Sequence, residues 1–300
     1  MALLKKNDVF IIGELVEVKT DVRTSSEGKT YVSGKVSVKV IVDGVENIIE
    51  ASIFSFEKTK NGTDSKMYKS YITLDSLLGK RVRVTGSLGE GAIVDPSTGD
   101  VRHFNQINAK FINAAYSTDT TDKATFEYAG FVTRPLYERR DKEDNLLGYR
   151  IEVAQANWDD TNCIVVRFDV DKDDTQKAAV IESNYLVQST VEFSGTLSAI
   201  STIETKTVEA DFGDPITKTF AKTEKTYSIV SGNLPLAPDA EGAYNDSIVK
   251  TLVAAYKQAD VERVEAKRNQ AAAEAVASTP DNPAAAAMNS VIRNATASLI

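Results

Sequence analysis

Lysines and tyrosines alternate within residues 58–71, a pattern that suits contact with a polyanion carrying flat rings. The segment contains Lys58, Lys60, Lys66, Tyr68, Lys69 and Tyr71. Ammonium groups pair with phosphates, and an aromatic face stacks on a nucleobase with roughly 1–3 kcal/mol per contact. Because Tyr68 has no periodic apolar partners in this polar stretch, we favour ligand contact over core packing for it. The alternative is that the lysines only solubilise a loop.

Further cations and aromatic residues in the first third of the chain extend this candidate surface. They are Arg23, Lys29, Tyr31, Lys35, Lys39, Phe56, Arg81, Arg83, Arg102 and Phe104. Arg81 and Arg83 share the polar face of a predicted strand, where ordinary sheet charges are equally expected. Phe54 and Phe56 also share one strand face, and for both we favour core packing over base stacking.

The sequence offers little support for catalysis or metal binding. Its one cysteine, Cys163, excludes an intramolecular disulfide, and its one histidine, His103, leaves too few soft ligands for zinc and is expected at the surface. No Walker-type glycine loop occurs. The spacing at residues 169–173 is that of a calcium loop, but Asp174 and Val180 stand where glycine and glutamate are required. We therefore expect no enzymatic activity, no metal and no cofactor.

Charge is distributed unevenly along the 300 residues. The net charge is −8, of which residues 1–116 contribute +2, residues 117–240 contribute −9 and residues 241–300 contribute −1. A local basic groove binds a polyanion even in an acidic chain. The acidic part contains Trp158, which is as consistent with a core or interface anchor as with a stacking platform. We expect the first part to carry the main binding surface and the second to serve docking or auxiliary binding.

Alternation of apolar and polar residues predicts two sets of five β-strands. They are expected at residues 9–19, 30–42, 46–56, 80–88 and 105–115, and at 126–134, 148–157, 162–170, 187–199 and 220–230. A short helix between the third and fourth strands of each set gives the layout of the OB-fold, a small closed barrel. A loop or protruding hairpin is expected at 201–219. A helix from Asp246 to about residue 276 then carries an apolar stripe suited to a barrel or a partner.

Two glycines and a phenylalanine of the first set recur in the same order in the second set. At offsets of 117, 114 and 109 residues, these pairs are Gly13 with Gly130, Phe54 with Phe168, and Gly86 with Gly195. We therefore predict an all-β chain of two tandem OB-like five-stranded barrels, followed by a C-terminal helix and a mobile Ala-rich tail. The expected divisions are residues 1–116, a linker at 117–124, residues 125–238, and residues 239–300.

The first set resembles single-stranded DNA-binding proteins, especially phage-type members with tandem OB domains. The elements that carry the resemblance are Ile11-Ile-Gly-Glu-Leu15, residues 23–31, Ile53-Phe-Ser-Phe56, residues 77–88 and Ile107-Asn-Ala-Lys-Phe-Ile112. The second set matches loosely. The resemblance implies a protein that coats single-stranded DNA without sequence preference during replication or recombination, in the cytoplasm of a phage-infected bacterial cell.

Two other functions stay open: a virion structural or assembly protein, and an OB-type docking module of a replisome or transcription complex. Bacterial members of the resembling family end in an acidic tip that recruits partners, whereas this chain ends in Thr296-Ala-Ser-Leu-Ile300. Replication or recombination proteins, and a second copy bound through the C-terminal helix, are candidate partners. No apolar run long enough for a membrane span or a signal peptide occurs, so no membrane partner is expected.

Overall fold

The computed structural model describes residues 3–95, 97–208 and 216–277, which form mainly long β-strands. The first five strands are β1 (Asn7–Thr24), β2 (Thr30–Val42), β3 (Val45–Phe56), β4 (Arg81–Val94) and β5 (Val101–Ala114). They are followed by β6 (Lys123–Arg140), β7 (Leu146–Ala156), β8 (Cys163–Val170), β9 (Thr190–Val208) and β10 (Ile216–Gly232). The helices are α1 (Lys66–Tyr71), α2 (Thr175–Asn184) and α3 (Asp246–Ala277), with a 3-10 turn at Leu74–Leu77. The predicted Ala-rich tail lies outside the described residues.

Each set of five strands closes into a barrel in the same order. In barrel 1, β1 pairs with β2 and β4, β2 with β3, and β4 with β5, while β3 meets β5 in parallel. In barrel 2, β6 pairs with β7 and β9, β7 with β8, and β9 with β10, while β8 meets β10 in parallel. Helices α1 and α2 occupy the connection before the fourth strand of each barrel. This is the OB arrangement, so the predicted fold class is confirmed.

The two barrels share one continuous sheet through their first strands. Residues 7–12 of β1 pair antiparallel with residues 123–128 of β6. Strand β6 therefore begins inside the segment that the sequence suggested as a linker. Because these backbone bonds belong to both barrels, cutting the chain between them would expose an unpaired edge of β1.

Glycine allows the strands of each barrel to cross closely. A Cβ atom on Gly13 would lie 2.2 Å from a carbonyl oxygen of β2, and one on Gly130 would lie 2.1 Å from a carbonyl oxygen of β7. Gly86 and Gly195 make the same close approach to β5 and β10, at 2.3 and 2.0 Å. Any larger residue would force these backbones apart, which explains why glycine recurs at both crossings.

Phe54 and Phe168 are not equivalent, although the sequence spacing suggested that they were. Phe168 is fully buried in barrel 2, with its ring centroid 4.7 Å from that of Phe193 and 5.0 Å from that of Tyr128. Phe54 is 52% exposed on the outer face of barrel 1. A shift of one residue along a strand moves a side chain to the opposite face, so the expectation that Phe54 packs in the core is wrong.

The first half of α3 covers the outer face of β6, β7 and β8. The buried cluster beneath it consists of Phe131, Ala154, Ala156, Cys163, Val165, Tyr244, Val249 and Leu252. Farther along the helix, Val264 and Arg268 lie beside Gly99 in the turn between β4 and β5. The predicted apolar stripe of α3 therefore docks on a barrel of its own chain, and the helix contacts both barrels. None of the helices in the described ranges combines the length and apolarity needed to cross a membrane.

Candidate nucleic-acid interface

Three aromatic rings form a cluster on the outer face of barrel 1, which we call the aromatic triad: Tyr31, Phe54 and Phe56. Tyr31 of β2 is paired in register with Phe56 of β3. Its ring centroid lies 5.5 Å from that of Phe54 and 6.0 Å from that of Phe56, and the two phenylalanines are 5.1 Å apart. Phe54 and Phe56 are 52% and 40% exposed. Contiguous exposed rings of this kind mark binding surfaces.

The alternation of β3 explains why these phenylalanines face outward. Ile53 points into the core and is 2% exposed, and Ser55 takes the next inward position at 8%. The Ser55 hydroxyl is tolerated there because it donates to the carbonyl of Phe56 at 3.1 Å and lies 2.9 Å from the Ser65 hydroxyl. With Ser55 inside, Phe54 and Phe56 must lie on the solvent side of the sheet.

Three cations lie around the triad. Each pairs with a nearby carboxylate, and a bound phosphate would take the place of that carboxylate. Arg23 of β1 is paired in register with Tyr31 and forms an ion pair with Asp21 at 2.8 Å. Lys29 pairs with Glu27 at 2.6 Å, and Lys35 lies 3.9 Å from Glu50. The bond from Lys29 lowers the pKa of the Glu27 carboxyl. Exposed pairs of this kind contribute little to stability, so the cations are available to a polyanion.

The four lysines that follow β3, two in the connection and two on α1, divide into a pair bound to a carboxylate and a pair without one. Lys58 and Lys69 both contact Asp64, and together they lower the pKa of its carboxyl to about 2. Lys60 and Lys66 have no carboxylate partner among the described residues. Lys60 instead lies 5.5 Å from the ring centroid of Trp158 in barrel 2. The unbound pair is therefore the part of this segment best placed to attract phosphates.

Tyr71 is a core residue, which corrects its assignment to the binding surface. It is 1% exposed, and its hydroxyl donates to the carbonyls of Ala109 at 2.8 Å and Lys110 at 3.0 Å. Burial raises the pKa of the phenol to about 12, so it remains a donor. Tyr68 is partly buried and packs against the same core. Both tyrosines project from the same short helix, α1, whose inner face closes the barrel.

Other predicted site residues hold the barrel together. Arg81 forms an ion pair with Asp122 and donates to the Asp119 carbonyl at 2.6 Å. Arg83 lies over the rings of Phe10 and Tyr116, at 4.6 and 5.2 Å from their centroids. These two arginines fasten the segment between β5 and β6 to the sheet, which gives them a structural role. Lys39 pairs with Glu14 at 2.5 Å on the same barrel.

Arg102 and Phe104 lie on β5, away from the triad. Ser52 of β3 is the register partner of Asn108, and β3 and β5 are parallel. Phe104 therefore lies six residues, or about 20 Å, from the level of Phe54. Phe104 is 44% exposed, and its ring covers Gly91 on the neighbouring strand. The structure thus brings Arg23, Tyr31 and Phe56 together but leaves these two residues at a distance.

Among the side chains that the structure describes, barrel 2 has no cluster of exposed aromatic rings like the triad. Its outer β7–β8 face lies under α3, and β8 ends at Val170 and runs into Asp171, Asp173 and Asp174. Arg139 and Arg150 are held by buried Asp169, at 2.9 and 2.8 Å. Cations that in barrel 1 face solvent are here bound to a carboxylate that is 4% exposed.

His103 lies in a largely buried joint between the barrels and α3, where its side chain is 11% exposed, and the expectation of a surface histidine is wrong. Its Nδ1 is 3.1 Å from Glu90 and its Nε2 is 3.0 Å from Asp260 of α3. The Tyr256 hydroxyl donates to Glu90 at 2.7 Å, and Arg167 of barrel 2 lies 3.4 Å from the same carboxylate. Burial and the bond to Glu90 raise the pKa of Tyr256 well above its usual value. A groove of about 740 Å³ beside α3 opens from this joint.

The core packing favoured for Phe54 and Phe56 is wrong, and the structure decides the open question of Trp158 in favour of an exposed ring. Trp158 is 83% exposed in the turn between β7 and β8. Its polar neighbours, Asn157, Asp159 and Asp160, were a usable signal for an exposed turn. In the part of the chain that the structure describes, no cluster of histidine, cysteine and carboxylate side chains suits a metal ion.

Comparison with solved structures finds single-stranded DNA binding proteins of low identity. The wild-type protein from Thermus aquaticus is 14% identical, with a TM-score of 0.48, over 79% of this chain and 96% of that chain. A small single-stranded DNA-binding protein from Streptomyces coelicolor is 15% identical, with a TM-score of 0.24, over 38% of this chain and 99% of that chain. The fold assignment therefore rests on the strand order of each barrel.

No curated protein matches the sequence. A family model, YorF, matches residues 5–275, which include both barrels and nearly all of α3. The chain therefore belongs to the YorF family.

Proposed function

We propose that this protein binds single-stranded DNA through the aromatic triad on β2 and β3 of barrel 1, without sequence preference and without catalysis. In this proposal it coats single strands during phage replication or recombination, in the cytoplasm of the infected cell. The observation that carries the proposal is the triad itself, in which two phenylalanines are about half exposed beside a third ring. The outer face of the second and third strands is where OB-folds bind oligonucleotides.

The triad favours single strands over duplex. Bases in a duplex are already stacked on one another, whereas unpaired bases offer free faces to exposed rings. Each ring that stacks on a base is also removed from water. The free energy gained offsets the cost of exposing that ring in the free protein. Arg23, Lys29 and Lys35 around the triad supply the phosphate contacts that hold the strand on this face.

We propose a docking or auxiliary role for residues 125–238, with residues 1–116 as the main binding unit, 117–124 as the connection and 239–300 as the C-terminal extension. Support comes from exposed apolar residues of barrel 2, of which Val180 and Val230 line one groove. The residues, each at least half exposed, are Val180, Leu186, Val187, Val230 and Leu234. Such residues suit contact with a replication or recombination protein. Self-association through α3 finds less support, because the apolar stripe of the helix is covered by barrel 2.

Binding is expected to weaken steeply as salt rises, because condensed counterions are released from the strand. If Arg23, Lys29, Lys35, Lys60 and Lys66 each neutralise one phosphate, log K falls with log salt at a slope of about −3.5. Affinity for oligo(dT) then drops about 100-fold between about 50 and about 200 mM salt. Fluorescence anisotropy of labelled oligo(dT) across a salt series measures this slope.

A duplex of equal length, titrated under the same conditions, is the control for this experiment. The proposal predicts weaker binding to the duplex at every salt concentration. Equal affinity for the two forms, or no binding of oligo(dT) at low salt, would contradict it. A virion structural protein, the main rival function, has no need of a triad of exposed rings surrounded by cations.

A further inference from the structure

Trp158 is exposed on a turn whose backbone is held by hydrogen bonds. It is the chain's one tryptophan and is 83% exposed. The turn that carries it is fastened by Asn157, whose amide donates to the Asn162 carbonyl at 2.8 Å and whose side-chain oxygen accepts from the Thr161 amide at 3.0 Å. A large ring presented to water on a fixed turn loses little conformational freedom when a partner covers it.

The Trp158 turn of barrel 2 lies against barrel 1. Lys5, just before β1, donates to the Asn157 carbonyl at 2.7 Å and forms an ion pair with Asp160 at 2.6 Å. Lys60, from the segment between β3 and α1, lies 5.5 Å from the indole centroid. A cation and an exposed ring from two barrels thus meet at one place, the combination that single strands require.

The acidic neighbours of Trp158 are occupied by partners. Asp159 accepts from the Thr161 hydroxyl at 2.7 Å, and Asp160 is bound to Lys5. The bond from Thr161 lowers the pKa of Asp159. Lys60, in contrast, has no carboxylate partner in the described ranges. Asp159 keeps its negative charge, so Lys60 is the group beside the indole that would attract a phosphate.

The site is continuous with the aromatic triad. Lys60 follows Phe56 by four residues, so the chain between them spans at most about 14 Å. A strand stacked on Phe56 that follows this segment reaches the indole of Trp158 at the junction of the barrels. The lysines on this stretch of chain are Lys58 and Lys60.

We propose that Trp158 and Lys60 form a second base-stacking subsite, through which the single strand that occupies the triad continues onto barrel 2. This inference rests on the proposed function and adds to it, because it gives barrel 2 a direct contact with the ligand and lengthens the footprint beyond one barrel. A protein partner that uses the indole as an anchor is the rival reading.

The sole tryptophan makes the test specific. We would titrate the full-length protein with labelled oligo(dT) of about 5 and about 30 nucleotides, the first near the smallest site of one OB-fold and the second longer than one OB-fold covers. Anisotropy reports binding, and tryptophan emission reports contact at Trp158. The proposal predicts that the long oligonucleotide quenches the emission and that the short one binds with little quenching.

Variants then test whether the indole of Trp158 stacks on a base or only senses DNA that is bound nearby. Trp158→Ala is expected to weaken binding of the long oligonucleotide about 5- to 150-fold, the loss of one stacked base. Trp158→Phe retains most of the affinity because a ring remains. Leu147→Ala, at a 48% exposed position elsewhere on barrel 2, is the matched control and leaves affinity unchanged.

The outcomes distinguish this inference from the proposed function. If the long oligonucleotide binds without quenching and Trp158→Ala binds it normally, the subsite is wrong while the triad proposal stands. That result would favour the protein anchor. If neither oligonucleotide binds, both proposals are wrong.

Discussion

Replacing Phe54 or Phe56 by alanine is expected to weaken binding of oligo(dT) about 5- to 150-fold for each ring removed. Both rings lie in the triad, within 5.1 Å of each other, and about half of each is exposed to water. Because about half of each ring already faces solvent, its removal loses part of its buried area and its contacts within the triad, and we expect the free energy of unfolding to fall by about 1–2 kcal/mol. Anisotropy titration and thermal unfolding of the same preparations measure the two effects.

Tyr116→Ala is the matched control for these variants. Tyr116 is an exposed aromatic residue of barrel 1, at 65%, that contacts Arg83 and lies outside the triad. Its replacement should leave the affinity near that of the wild type. If Tyr116→Ala weakened binding as much as Phe54→Ala, the loss would reflect general surface hydrophobicity and the triad would have no special role.

Tyr71→Ala is expected to show the opposite behaviour. The side chain is 1% exposed and donates to two carbonyls, so its removal leaves a cavity and should cost roughly 3–5 kcal/mol of unfolding free energy. Tyr71→Phe keeps the ring and loses the hydroxyl bonds, at a cost of about 1 kcal/mol. Denaturant unfolding measures both variants.

Oligo(dT) affinity per folded molecule should be unchanged in both Tyr71 variants. The measurement is made below the unfolding transition, with the folded fraction taken from the same denaturant curves. If Tyr71→Ala had normal stability but weakened binding, Tyr71 would belong to the interface. That result would contradict its burial in barrel 1.

The sequence predicted the strands well but not the face that each side chain occupies. In residues 53–56, the pattern Ile-Phe-Ser-Phe fits two registers, one with Phe54 and Phe56 inside and one with Ile53 and Ser55 inside. Periodicity favours the first, because serine is polar. The second wins because the Ser55 hydroxyl finds partners at its buried position. One of these partners is the hydroxyl of Ser65, ten residues farther along the chain, so the alternation within β3 could not indicate it.

The buried face of helix α1 was not predicted, for a related reason. Ser65 caps it by accepting from the Tyr68 amide at 3.3 Å, and Met67, Tyr68 and Tyr71 then turn toward the core. A serine followed by this apolar spacing was a usable signal, but the surrounding lysines obscured it. Charge in a segment indicates a solvated face and does not exclude a buried one.

The joint around His103 could not be predicted from local sequence at all. Its members come from β4, β5, β8 and α3, and the whole of barrel 2 lies between Glu90 and Asp260 in the chain. The covering of barrel 2 by α3 is likewise a tertiary effect, because the apolar stripe of the helix fitted a partner as well as a barrel. These contacts are what leave barrel 1 with the open OB face.

Photo-crosslinking locates the bound strand and so tests the central claim most directly. Full-length protein would be irradiated with oligo(dT) of about 30 nucleotides that carries 5-iododeoxyuridine, a length that spans more than one OB-fold, and the crosslinked peptides identified by mass spectrometry. The account predicts crosslinks at Tyr31, Phe54 and Phe56. Efficient crosslinking confined to barrel 2 or α3, with these three residues unmodified, would contradict it.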